Sequence, residues 1–145
     1  TSRGFTLAEL VMVLVIVGVL AVAAMPALFG RLTFDTRRFA DQVRAAIQYA
    51  QKVAVAQRRN VCVTVTANSL SLTQGTSAGA ACSAAVFDVS TGSGFVLNAP
   101  GSVGLGGAAT ITFDALGQTA SAAVVTVTGD QSIPINIEAV TGYVR

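Results

Sequence analysis

Two cysteines, one glutamate at the mouth of a long apolar run, and a set of basic residues spaced along one helical face are the groups here that could do chemistry or make specific contacts. Histidine is absent. That excludes Ser-His-Asp and Cys-His nucleophile systems within the chain, His-ligated zinc, and an imidazole general base. Cys62 and Cys82 cannot complete a zinc site by themselves, and they lack the CxxC spacing of a redox pair. No catalytic residue, metal or cofactor is therefore expected, and the reading is of a non-enzyme.

The elements that must position these groups follow from composition. The chain has 145 residues, of which 52% are hydrophobic and 11% charged. That length suits one domain with a modest core plus one extra element. The charged fraction is under half the usual quarter, which argues against disorder and against an ordinary cytosolic surface. Charge is also unevenly placed. Residues 1–59 hold eight of the nine basic residues and three acids, whereas residues 60–145 hold Asp88, Asp114, Asp130 and Glu138 against Arg145. Such an asymmetry marks a boundary between parts with different work.

Residues 10–29, LVMVLVIVGVLAVAAMPALF, form an uncharged run between Glu9 and Arg31. As a helix the run spans roughly 30 Å, the thickness of a bilayer's hydrocarbon. It has no polar face, so it is expected in lipid or among other helices. A cleaved secretory signal is the alternative, with Ala21-Val22-Ala23 as a small-residue cleavage site and Arg3 as the positive region. Glu9 weighs against that alternative. A carboxylate at the mouth of an apolar helix is costly unless it stays at the interface or meets a cation, and a signal peptide gains nothing from it.

Gly4-Phe5-Thr6-Leu7-Ala8-Glu9-Leu10 ahead of the apolar run resembles the class III signal of type IV pilins and type II secretion pseudopilins. The resemblance implies that a prepilin peptidase cuts between Gly4 and Phe5 and methylates Phe5. Residues 1–4 are then the tail of a leader whose true start is missing or trimmed. Glu9 would neutralise the terminal amine of a neighbouring subunit during assembly. The implied layout is a membrane and assembly helix over 5–30, an amphipathic helix over 31–59 and a β-rich domain over 60–145. Gly18 and Pro26 each weaken a helix, by about 1 and about 3 kcal/mol. Both are tolerated in membrane helices, and in the family the segment between such positions can melt on assembly.

Beyond Gly30 the pattern becomes amphipathic. Phe39, Val43, Ala46, Ile47, Ala50, Val53 and Ala54 recur at three- and four-residue steps, and predict a helix over about 35–59 with these residues buried. At 100° per residue, Arg37, Arg44, Lys52 and Arg59 gather on the opposite face, with Asp41 offsetting part of their charge. Such a stripe could meet phosphate, anionic lipid or an acidic subunit, or could be a solvated face. Arg31, Arg37 and Arg38 also bear on orientation. Positive residues are favoured on the cytoplasmic side, whereas the resemblance places these outside and leaves Arg3 and the leader to hold the inner end. The motif outweighs that conflict.

From residue 60 the period changes to two. Val61-Cys62-Val63-Thr64-Val65-Thr66, a turn at Asn68-Ser69, and Leu70-Ser71-Leu72 read as a hairpin. Further strands are expected at 95–97, 110–113, 124–128, 133–137 and 143–144, with Pro134 at an edge or a strand start. Residues 75–85 and 101–109 read as loops. The sheet is expected to pack on the apolar face of the helix, an α+β pilin layout. In an oxidising compartment a Cys62–Cys82 disulfide would close a loop of about twenty residues and contribute about 3 kcal/mol. Two buried free thiols are the alternative.

Asp114-Ala115-Leu116-Gly117-Gln118 after Ile111-Thr112-Phe113 reads as a turn, and resembles a signature of GspH- and FimT-type minor pseudopilins, as does Thr141-Gly142-Tyr143-Val144-Arg145. The resemblance implies a structural subunit of a type IV pilus or type II secretion pseudopilus. It would be anchored by a single pass in the bacterial inner membrane, with its globular domain in the periplasm. Its partners would be other pilin subunits, the prepilin peptidase and the inner-membrane assembly platform. The alternative is a DNA-binding minor pilin acting in natural transformation. Some relatives use a Gly-Arg-x-Arg motif for this; here Gly142 and Arg145 match and Tyr143 does not. DNA would then be met by Gly142, Tyr143 and Arg145 together with Arg37, Arg44, Lys52 and Arg59, although one basic residue in an acidic domain neutralises few phosphates.

Overall fold

The computed structural model describes residues 6–29 and 31–145. The chain divides into two compact units, residues 1–31 and 32–145. The expected leader, residues 1–4 with the cleavage position Gly4, the expected methylation site Phe5, and the junction at Gly30 lie outside the described residues.

The first unit contains helix α1, Leu7–Phe29. Thr6 caps it. The Thr6 carbonyl accepts from the Glu9 and Leu10 N–H groups at 3.1 and 3.2 Å, and Thr6 Oγ1 lies 3.3 Å from the Glu9 N–H. Thr-x-x-Glu is the capping-box spacing. Gly18 and Pro26 both lie inside one unbroken helix. Every residue from Leu7 to Ala24 is exposed, and this segment is long and apolar enough to cross a membrane.

The second unit contains all but the first residue of helix α2, Arg31–Gln57. It starts four residues before the expected position and ends two residues before it. Its end is set by a left-handed residue, Arg58, at φ 51°. The Arg58 N–H donates to Val55 O and the Arg59 N–H to Ala54 O. This is the Schellman arrangement, normally built on glycine. Arg59 is therefore beyond the helix and not on its basic face.

Ten short strands follow: β1 Val61–Val65, β2 Ser69–Gly75, β3 Cys82–Ala85, β4 Phe87–Asp88, β5 Ser93–Gly94, β6 Val96–Asn98, β7 Gly104–Gly107, β8 Thr110–Phe113, β9 Ala123–Thr128 and β10 Ser132–Ile137. The larger sheet runs β3-β2-β1-β8, and β6 shares the outer edge of β2 with β3. A second sheet runs β10-β9-β7, and β4 with β5 makes a small hairpin. All pairings are antiparallel. The fold is α+β, as expected, but two expected loops contain strands: β3 lies within 75–85 and β7 within 101–109.

β7 is Gly-Leu-Gly-Gly, a composition with little strand preference of its own. It is recruited by pairing Leu105 with Val127 and Gly107 with Val125 of β9. At Gly107 φ is +99° and an added Cβ would run into the Val124 carbonyl, so the turn out of β7 requires glycine. Pro134 sits in β10, the edge of its sheet. Its neighbour of the same parity, Asn136, directs both backbone groups away from β9 to Arg145. The missing N–H of Pro134 thus faces the outer edge, where no ladder bond to β9 is lost.

One buried cluster joins α2 to both sheets. Phe39, Val43, Ala46, Ile47, Ala50, Val53 and Ala54 are all buried, as the periodicity predicts, and Ala40 and Thr36 extend that face. Facing them are Val61, Val63, Leu70, Leu72, Ile111, Phe113, Val125, Val127, Ile135 and Ile137, the inward residues of their strands. A Cys62–Cys82 disulfide ties β1 to β3, with Cα atoms 6.1 Å apart. The paired reading of the two cysteines holds, and there are no free thiols.

Candidate assembly site

Three groups of candidate residues were expected to act together with partners outside the chain: Glu9, the basic face of α2, and the carboxy-terminal segment. Glu9 occupies the third position of the capped α1 terminus, where the orphan N–H groups and the helix dipole favour a negative charge. It is exposed, and no cation among the described residues is paired with it. Its carboxylate is therefore held at the amino-terminal end of α1 and left open to a cation from elsewhere. Sequence reading missed this local use of Glu9, although the Thr6-x-x-Glu9 spacing is the signal that could have found it.

On α2, Arg37 and Lys52 are exposed, while Arg44 is half-buried. Asp41 meets Arg44 at 3.9 Å, a surface pair worth under about 1 kcal/mol. Beside this face, Gln42, Ala45, Ala46, Tyr49, Phe95 and Leu97 line a shallow apolar groove, with the Tyr49 and Phe95 rings 5.8 Å apart.

The carboxy-terminal candidates are built into a knot that the sequence did not reveal. Gln51 on α2 donates through Nε2 to the Gly117 and Thr141 carbonyls, both at 2.9 Å. One side chain thereby joins the 114–118 turn to the 138–143 segment. Asp114 organises the turn, its Oδ1 accepting from the Leu116 and Gln118 N–H groups at 2.9 Å each. Thr119 N–H donates to Ala139 O, and Gly142 N–H to Glu138 O. Gly142 adopts φ +62°, and a Cβ there would meet the Gly117 carbonyl and the Gln51 amide. The two stretches that carried the carboxy-terminal resemblance are thus packed on each other through Gln51. Its signal was absent from local pattern because its partners are 66 and 90 residues away.

This arrangement bears directly on the nucleic-acid candidates. Gly142 answers a backbone demand. Arg145 pairs with Glu138 at 3.3 Å, and its backbone exchanges two hydrogen bonds with Asn136. Tyr143 is exposed, together with Leu116 and Val140. Asp88 is likewise occupied: hydrogen bonds from the Ser90 hydroxyl and N–H hold its carboxyl below the usual range. No group of carboxylates and thiols that could hold a metal ion occurs among the described residues.

Comparison with known proteins agrees with this architecture. Residues 1–25 match the prokaryotic N-terminal methylation motif, and residues 40–140 match the family described as type II transport protein GspH. No curated protein sequence matches the chain. Among solved structures, the type IV minor pilin FimU of Pseudomonas aeruginosa (strain PAO1) is similar in two crystal forms. In space group P65 the TM-score is 0.57 at 18% identity, covering 75% of this chain and 90% of FimU. In space group P21 it is 0.56 at 17% identity, covering 80% and 87%. At that identity the likeness is one of fold, the pilin fold. Matched to the family over most of its length, with a methylation-motif helix in front, this chain belongs to the GspH family of minor pilins and pseudopilins, which are structural subunits that associate with other pilins.

Proposed function

We propose that the chain is held in the bacterial inner membrane by α1, with its sheet domain in the periplasm, and is drawn from there into a type IV pilus or type II secretion pseudopilus. The observation that carries this reading is a capped helix exposed throughout Leu7 to Ala24, opening on a carboxylate with no ion-pair partner among the described residues. That stretch buries no side chain among the described residues, so its apolar surface must be covered by lipid first and by neighbouring helices later. In this reading prepilin peptidase cuts after Gly4 and methylates Phe5, and the inner-membrane platform drives assembly. Glu9 then pairs with the amine of a neighbour's Phe5. Residues 1–4 act as leader, 5–30 as assembly helix, 31–57 as amphipathic helix and 60–145 as sheet domain. The Gly18 to Pro26 stretch is where α1 can loosen once packed, because glycine and proline hold a helix least well.

The test separates charge from capping at Glu9. Glu9→Gln keeps a capping-box side chain and removes the charge, whereas Glu9→Ala removes both. Both variants should insert into membranes, and both should lose most incorporation into filaments, read as the sheared-filament to membrane ratio. Normal incorporation of Glu9→Gln would overturn the charge role. Binding of DNA gains no support from the carboxy-terminal segment, where Gly142 is structural and Arg145 is already paired.

A further inference from the structure

We propose that Phe34, Arg37 and Arg38 form a clamp for anionic phospholipid headgroups, holding the start of α2 at the membrane surface before assembly. The proposal rests on the membrane-anchored reading above. Positions i, i+3 and i+4 are neighbours on a helix surface, and all three side chains are exposed, Phe34 by 76%. Phe34 contributes nothing to the core, whose nearest members, Thr36, Phe39 and Ala40, lie on the other side of the helix. Neither guanidinium has a carboxylate in ion-pair range among the described residues. The nearby Asp41 is instead paired with Arg44.

Spacing along the chain supplies the occupant. Residues 10–29 match the hydrocarbon thickness, and a bilayer adds roughly 5–7 Å of headgroup region on each side. Phe34 follows the end of that run by five residues in sequence, among the flanking positions where aromatic residues concentrate at the headgroup level. Arg37 and Arg38 follow it by eight and nine residues, inside the roughly 15–20 flanking residues over which positive charge bears on the membrane. Helical side chains lean toward the amino terminus, which for α2 is the end joined in sequence to the span, and long cationic side chains reach back to phosphates. A guanidinium offers the planar donor pair that phosphate accepts. Three arginines within ten residues of the span also oppose an outward-facing domain, so a stabilising contact there offsets a real cost. Asp35 lines a cleft with Arg38, Phe39, Gln42 and Pro100, and its carboxylate works against an anion at that spot.

Native mass spectrometry of the full chain, released from mixed micelles with equal phosphatidylglycerol and phosphatidylcholine, tests the clamp. Phosphatidylglycerol should be retained roughly tenfold over phosphatidylcholine, and each of Arg37→Gln and Arg38→Gln should cut that preference about fivefold. Phe34→Ser should lower retention of both lipids, and Asp35→Asn should raise the preference. Equal retention by the unaltered chain overturns the clamp. So does an unchanged preference in the Arg37→Gln/Arg38→Gln variant; if that variant also fails to enter filaments, the arginines belong to a subunit contact instead. Alkaline extraction of the same chain from vesicles separates the two readings. A chain that is extracted overturns the anchor and the clamp together, whereas one that resists extraction yet shows no lipid preference overturns the clamp alone.

Discussion

α1 and α2 are helices of 23 and 27 residues in one chain, and they treat their apolar side chains in opposite ways. α2 turns Phe39, Val43, Ile47 and their neighbours onto two sheets and leaves its charge outside. α1 is apolar all round and exposed from Leu7 to Ala24. The difference teaches where each sequence finds its reason. α2 is explained by contacts within its own chain, since burying one apolar face offsets the entropy of ordering it. Leu7 to Ala24 of α1 buries no side chain among the described residues, and its composition makes sense against lipid or the helices of other subunits.

The largest way to break this division is to empty the core. Phe113, fully buried in β8, replaced by Ala should cost about 3–5 kcal/mol. Circular dichroism of the full chain in detergent should show the sheet domain melting early while α1 stays helical. Simultaneous loss of both would show that the two units are not independent. Opening the Cys62–Cys82 link comes next. Reduction, or Cys62→Ser with Cys82→Ser, should lower stability by about 3 kcal/mol for a loop of this length. Thermal midpoints with and without reductant give the measurement, and membrane insertion should not change.

Gln51→Ala sharpens the comparison on a smaller scale, because it loosens α2 from its own domain at one point. Losing two hydrogen bonds and leaving two carbonyls unpaired should cost about 1–3 kcal/mol. Hydrogen exchange should rise at 114–118 and 138–143 and stay low across β1 and β2. Uniformly raised exchange would mean that Gln51 supports the whole core. The smallest effect is expected at the helix end. Arg58→Gly relieves a left-handed non-glycine residue, and should stabilise the domain by about 1 kcal/mol or less in a denaturant titration. A loss of stability would show that the Arg58 side chain makes a contact worth more than the strain.

These sites also mark what could be read from the sequence. The buried face of α2 was legible because seven apolar residues kept a helical period, and β1 and β2 because their alternation is strict. The disulfide was one of two open readings. β7 was hidden because glycine carries no strand signal, so only its pairing with β9 makes it a strand. The end of α2 was misplaced for a related reason. A helical projection keeps going until something stops it, and here the stop is an arginine in a conformation usually given to glycine. Arg59 was counted on a face that the helix never reaches. Gln51 looked like one more polar residue at the edge of the core, since its two acceptors come from loops far along the chain.

The contact between Gln51, Gly117 and Gly142 has a consequence for how relatives of this chain should differ. A side chain at 142 collides with the amide that holds 117, and a shorter residue at 51 releases both loops together. The three positions therefore form one unit of inheritance. Sequence drift at any one of them should be accompanied by change at the other two, and a relative that keeps only Gly142 should have rebuilt this end of the domain.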